Sequence, residues 1–147
     1  MIQRIQSLLL LLAVAAYALL FFFPIAEYSS QDVINTFSLL KITNANSNST
    51  LPLVILTCLL AATCLVTIFL YKKRLLQIRI TAITLLVHII FIFWIFYTTG
   101  IIEKSLNTVV SYKAGMYIIL VPLVLIGLAH RAIRRDEKLV NSTDRLR

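Results

Sequence analysis

His88 is the residue whose type and position most suggest a chemical role. It lies near the middle of a long apolar stretch, and Thr84 and Thr81 precede it by four and seven positions, so all three share one helix face. An ionisable group inside a membrane-length apolar segment predicts a proton relay or a ligand site. The alternative is a neutral histidine that hydrogen-bonds a threonine or a backbone carbonyl of a neighbouring helix, because the apolar segments hold no carboxylate to pair with it.

Other candidate chemistries lack the residues they need. Cys58 and Cys64 are six apart, about 240° around a helix axis, so they cannot bridge each other as thiol oxidoreductases require. A metal site needs about three converging ligands, and His130 is expected a helix length from His88. The sequence contains no Gly-rich phosphate loop, Ser-His-Asp set or carboxylate pair. We therefore predict no catalytic, cofactor-binding or metal site, and no enzyme activity.

The sequence contains four apolar blocks separated by polar segments, and His88 lies in the third of them. The chain is 60% hydrophobic with a mean hydropathy of +0.92, whereas soluble domains are about 45–50% apolar. A bilayer core of about 30 Å takes roughly 20 helical residues, which predicts spans at 5–23, 51–71, 80–100 and 112–130. The predicted fold is an all-α membrane protein, a four-transmembrane-helix bundle over residues 1–130.

The outer loop at 24–50 allows two interpretations. The segment SSQDVINTFSLLKI has the pattern of a short helix with Val33, Phe37 and Leu40 on one face, and TFSLLKI could equally be a strand. These three side chains are expected on the outer rim of the bundle. The second outer loop, from Ile101 to about Ser111, is expected to be short.

Lys and Arg residues are distributed unequally between the two sides of the predicted bundle. The N-terminus, the 72–79 link and the tail carry eleven of the fourteen, and the outer loops carry the other three. By the positive-inside rule, this distribution predicts that both termini are cytoplasmic. The formal net charge of +8 then lies on the cytoplasmic face, which is expected to attract anionic lipid headgroups at about 1 kcal/mol per Lys or Arg.

The two ends of the chain predict an interaction face. The tail, 131–147, has the pattern of a cytoplasmic amphipathic helix that continues the fourth span, with an apolar seam of Ile133, Leu139, Val140 and Leu146. The seam is expected to fold against the start of the first helix, with Arg4 near Asp136, or against a partner; the alternative is a tail in solvent or resting on lipid. The predicted face comprises Gln3, Arg4, Gln6, Arg131, Arg134, Arg135, Asp136, Leu139 and Leu146.

The same two ends carry a family resemblance. The opening MIQRIQS, the Leu-rich span that ends in FFP, and the close RAIRRDEKLVNSTDRLR resemble a family of small bacterial four-span membrane proteins known only as a domain of unknown function. The resemblance covers the chain from Met1 to Arg147. It implies a bacterial inner-membrane protein, and it supplies no activity, cofactor or catalytic residue.

Two classes of function fit these observations. The first is a non-enzymatic accessory, assembly or scaffolding subunit that meets a membrane-protein partner through its basic cytoplasmic face. The alternative is a small transporter or channel, either single or assembled as a homo-oligomer, that uses His88, Thr84 and Thr81 as a polar path. The tail has six basic and three acidic residues and no aromatic residue, so nucleic acid is not predicted as a partner.

Overall fold

The described residues form four α-helices, one short 3-10 helix and a small antiparallel sheet. The computed structural model describes residues 2–30, 33–40 and 50–144, of which 79% are helical. The elements in chain order are α1 (Ile2–Leu19), β1 (Ala26–Ser30), β2 (Val33–Phe37), α2 (Leu51–Phe69), a short 3-10 helix (Leu70–Lys72), α3 (Arg74–Leu106), β3 (Val109–Tyr112) and α4 (Ala114–Asp144).

The helices form a ring in which each one contacts the next in sequence, and α4 closes the ring against α1. The short 3-10 helix and Lys73 link α2 to α3, and so short a link makes these two helices run antiparallel. Ala13, Ala16 and Ala129 are buried. Their small side chains let helix backbones approach closely, and close packing of this kind is the main source of helix association in lipid.

Three helices are long and apolar enough to cross a membrane, over Leu51–Phe69, Arg74–Lys104 and Ala114–Val140. The apolar part of α1, Ile5–Leu19, is shorter. The first span was predicted to reach Phe23, whereas α1 ends at Leu19 and turns over Phe21 and Phe22 lead to Phe23. Pro24 disfavours a helical conformation in Phe23, the residue before it, so the helix does not resume there.

The prediction of an all-α chain is wrong at one end of the bundle, where the structure contains a small sheet. There β1 lies between β2 and β3 in an antiparallel sheet with the order β2-β1-β3. The helical interpretation of the segment around Val33 and Phe37 is therefore also wrong. Phe37 and Leu39 are fully buried and Leu40 is 62% exposed, so side chains alternate with a period of two and do not form one rim-facing row.

The sheet is joined to the helices through backbone contacts at the start of α4. The Lys113 amide donates to the Ile25 carbonyl at 2.9 Å, and the Gly115 amide donates to the Pro24 carbonyl at 2.9 Å. Lys113 also forms an ion pair with Glu27, 2.8 Å between Nζ and Oε2. The Tyr28 hydroxyl donates to the Thr99 carbonyl of α3 at 3.4 Å, and burial raises the pKa of this phenol, which keeps it a neutral donor.

The tail is not a separate unit after residue 130. Helix α4 is continuous from the bundle to Asp144, and Ile133 is only 1% exposed. The predicted boundary at 130–131 therefore falls inside a helix that is packed on both sides of it.

Candidate functional site

His88 takes part in a hydrogen-bonded chain in the middle of the bundle. Its Nδ1 lies 2.7 Å from the Tyr17 hydroxyl of α1, and its Nε2 lies 3.0 Å from the Ile119 carbonyl of α4. A carbonyl can only accept, so Nε2 carries the proton and Nδ1 accepts from Tyr17. Tyr17, His88 and Ile119 are all 0% exposed. The contact with the Ile119 carbonyl is of the kind that the sequence suggested as the alternative to a proton relay.

Pro122 lies three residues after Ile119 in α4. Proline has no amide proton and its ring clashes with the carbonyl four residues earlier, so the carbonyl that loses its helical donor is that of Ile118. The Ile119 carbonyl is next to this position, and its hydrogen bond with His88 joins α3 to α4 close to the proline.

The predicted face of Thr81, Thr84 and His88 is divided among separate hydrogen bonds. The Thr84 hydroxyl donates to the Ile80 carbonyl of its own helix at 2.8 Å. Thr81 lies two turns from His88, and its Oγ1 is 2.9 Å from Nδ1 of His130 on α4. Thr81 therefore belongs to a second polar group nearer the helix ends, and His88 belongs to the mid-bundle chain with Tyr17.

The two cysteines lie apart on α2, with Cys64 buried and Cys58 exposed. Among the described residues, no group of three or more His, Cys, Asp or Glu side chains is placed to hold a metal ion.

A polar cluster ties the helices together at the end that holds the N-terminus, the α2–α3 link and the tail, here called the basic end. Gln6 of α1 is 4% exposed, and its Nε2 donates to Oδ2 of Asp136 on α4 at 3.0 Å. The sequence predicted Arg4 near Asp136, and Gln6 is the partner of Asp136 that the structure describes. The side chains of Gln3 and Arg4, and all of Leu146, lie outside the described residues.

Gln77 and Arg74 of α3 complete this cluster, and sequence reasoning missed both. Nε2 of Gln77 donates to the Thr67 carbonyl of α2 at 3.2 Å, and the Gln77 carbonyl accepts from Thr81 at 2.9 Å. Nη1 of Arg74 is buried without a hydrogen-bond partner among the described residues. A small cavity beside it is lined by Gln6, Ser7, Tyr71, Arg74, Gln77, Ile133 and Asp136. Gln77 could have been found from sequence, because residues 77, 81, 84 and 88 follow one helical row.

The predicted tail residues separate into two groups on α4. Ile133 and Asp136 face the bundle, whereas Arg131, Arg134, Arg135 and Lys138 are exposed on the opposite side. Leu139 and Val140, the part of the apolar seam beyond Asp136 whose side chains are described, are 51% and 41% exposed.

The substitution Gln6→Leu is expected to loosen the end of α4. It removes the donor to the Asp136 carboxylate, and a hydrogen bond to a charged group contributes about 1.5–3 kcal/mol. Hydrogen exchange of backbone amides 131–140 should therefore accelerate, with the rest of α4 unchanged. Lys138→Gln, on the exposed side of the same helix, is the control and should leave exchange as it is. Equal exchange rates in Gln6→Leu and wild type would show that the contact does not hold the tail.

Comparison with known proteins gives one family match. A family model described as Domain of unknown function (DUF4293) matches residues 2–146, nearly the whole chain. No curated protein matches the sequence.

Proposed function

Because the chain belongs to the DUF4293 family, a domain of unknown function, we propose a function from its own geometry. The protein acts as a non-enzymatic accessory, assembly or scaffolding subunit of a membrane assembly, and it meets its partner at the basic end. It crosses the bacterial inner membrane four times with both termini in the cytoplasm. Eleven of fourteen Lys and Arg residues on one side of the bundle support this orientation.

The observation that carries the proposal is the exposure of the last described turns of α4. The Gln6–Asp136 hydrogen bond and buried Ile133 fix this segment to the bundle. Just past these contacts, Leu139 and Val140 are about half exposed next to Lys138. They follow a row of four exposed cations on the same helix. A rigid helix end with apolar and basic residues is suited to contact with another protein.

The interior of the bundle supports a structural role for its polar residues. Thr57 and Thr84 donate to carbonyls of their own helices, at 2.7 and 2.8 Å. His88 has a partner at each ring nitrogen and is fully buried. Residues committed to internal hydrogen bonds stabilise helix packing, and moving a substrate past them would require breaking these bonds. The transporter alternative therefore has less support than the subunit.

The proposal is tested by substituting the exposed apolar pair. Tagged protein carrying Leu139→Ser and Val140→Ser is purified in gentle detergent from its native membrane, and co-purifying chains are identified by native mass analysis. We expect wild type to retain a stoichiometric second chain and the variant to lose it with no change in thermal stability. Leu75→Ser with Leu76→Ser, an exposed pair at the start of α3, is the matched control. A wild-type protein that purifies alone or only with copies of itself would contradict the proposal.

A further inference from the structure

The outward face of α4 carries two consecutive stripes of different chemistry. Arg131, Arg134, Arg135 and Lys138 are exposed and fall within an arc of about 100° at 100° per residue. Seven residues separate the first from the last, so the cations extend over about 10 Å. On the same face, the preceding turns expose Leu120, Val124 and Leu128, which are 46%, 59% and 49% exposed.

The acidic residues of the described tail lie outside this arc. Asp136 is about 140° from Arg131 around the axis, on the bundle side, where Gln6 donates to it. Glu137 is about 120° away on the other side, and it lines a groove with Lys73, Arg74, Leu75 and Leu76 of the α2–α3 link and α3. The cationic stripe therefore keeps an uncompensated positive charge that points away from the bundle.

We propose that this face of α4 binds an anionic phospholipid as a defined site. The phosphates lie among Arg131, Arg134, Arg135 and Lys138, and an acyl chain follows Leu120, Val124 and Leu128. Guanidinium groups bind phosphate oxygens in bidentate fashion, so three arginines within two turns favour phosphate over a diffuse anion. Four cations spread over about 10 Å fit a headgroup with two phosphates better than a headgroup with one.

The apolar stripe decides the class of ligand. Free phosphate, nucleic acid and an acidic soluble protein could each use the cations, but none of them has a group that lies along Leu120, Val124 and Leu128. A phospholipid uses both stripes in their order along the helix. The site does not depend on the protein partner proposed above, because Leu139 and Val140 lie beyond it and purified protein suffices to test it.

The test is a lipid titration of purified full-length protein followed by native mass spectrometry. The probes have the same acyl chains and differ in headgroup: diphosphatidylglycerol with two phosphates, phosphatidylglycerol with one, and zwitterionic phosphatidylethanolamine. The variant pair is Arg131→Gln with Arg135→Gln. The control pair, Lys73→Gln with Arg79→Gln, removes the same charge from exposed positions at the same end of the bundle. Arg134→Gln with Lys138→Gln is a second test pair in case the first fails to fold.

We expect wild type to bind diphosphatidylglycerol most tightly and phosphatidylethanolamine least. Each cation at a membrane surface contributes roughly a fivefold gain in affinity, so either test pair should weaken binding about 30-fold. The control pair should weaken it less than fivefold. Equal weakening by test and control pairs would overturn the proposal, and so would equal affinity for the three lipids. Inorganic diphosphate could also displace the lipid completely at an equal concentration. That result would show that the apolar stripe does not contribute to binding, and it would overturn the proposal.

Discussion

Gly115→Ala is expected to destabilise the protein by about 3 kcal/mol, since overpacking a close contact costs roughly 1–3 kcal/mol and the atoms met here are rigid backbone. A Cβ at this position would lie 2.6 Å from the Pro24 carbonyl oxygen and 2.9 Å from that of Phe23. The clash would also disturb the hydrogen bond from the Gly115 amide to Pro24, which joins the sheet to α4. Thermal denaturation of the purified protein in detergent, followed by circular dichroism, measures the loss.

Gly127→Ala is the matched control for this substitution. It lies in the same helix, and a Cβ there would meet no atom within 4 Å. Alanine is preferred over glycine in a helix interior by about 1 kcal/mol, so this variant should be as stable as wild type or slightly more stable. If both variants lost the same stability, the close approach of α4 to Pro24 would not be a feature of the folded protein.

His88→Leu is expected to have the second largest effect, a destabilisation of about 2 kcal/mol. Leucine is similar in size, so the change leaves little cavity, but it removes the partner of the Tyr17 hydroxyl and of the Ile119 carbonyl. Each buried polar group left without a partner costs about 1–3 kcal/mol in soluble proteins, and interhelical hydrogen bonds in membranes contribute about 0.6–1.7 kcal/mol. The measurement is again thermal denaturation in detergent.

A double-mutant cycle separates this hydrogen bond from other effects of the substitution. Tyr17→Phe removes the hydroxyl and should cost about 1 kcal/mol. Adding Tyr17→Phe to His88→Leu should cost little more, because the hydroxyl that His88→Leu leaves unsatisfied is then absent. Strictly additive losses would contradict a direct Tyr17–His88 interaction. The subunit proposal also predicts that the His88→Leu protein keeps its co-purifying partner, in contrast to the Leu139/Val140 pair.

The helices were predictable because their signal is local. Apolar blocks of about 20 residues between polar segments mark membrane-length helices, and three of the four meet the criterion in the structure. The end of α1 was less predictable, because three phenylalanines extend the apolar block past Leu19 into a turn. The sheet was missed for a related reason: β1 and β3 are five and four residues long, and they pair across most of the chain. Strands this short do not show a clear alternation of apolar and polar residues in the sequence.

The sequence identified some residues of the site, but it did not identify their hydrogen-bond partners. His88 and Gln6 stood out because polar residues in or beside apolar helices need partners. Which partners they find depends on the relative rotation and height of neighbouring helices, and one sequence does not contain that information. Tyr17 was therefore not identified as the partner of His88, and Gln6 was not identified as the partner of Asp136. The row of Thr81, Thr84 and His88 was visible in the sequence, and extending it by one turn would have found Gln77.

We propose that the end of α4 contacts a different protein, and crosslinking in the native membrane would detect that contact. A photoreactive amino acid is placed at position 139, with position 75 as the control, because Leu139 and Leu75 are both more than half exposed at the basic end. We expect one protein adduct of defined mass from position 139, and no such adduct from position 75. Adducts from position 139 only with copies of this chain, or with no protein at all, would contradict it.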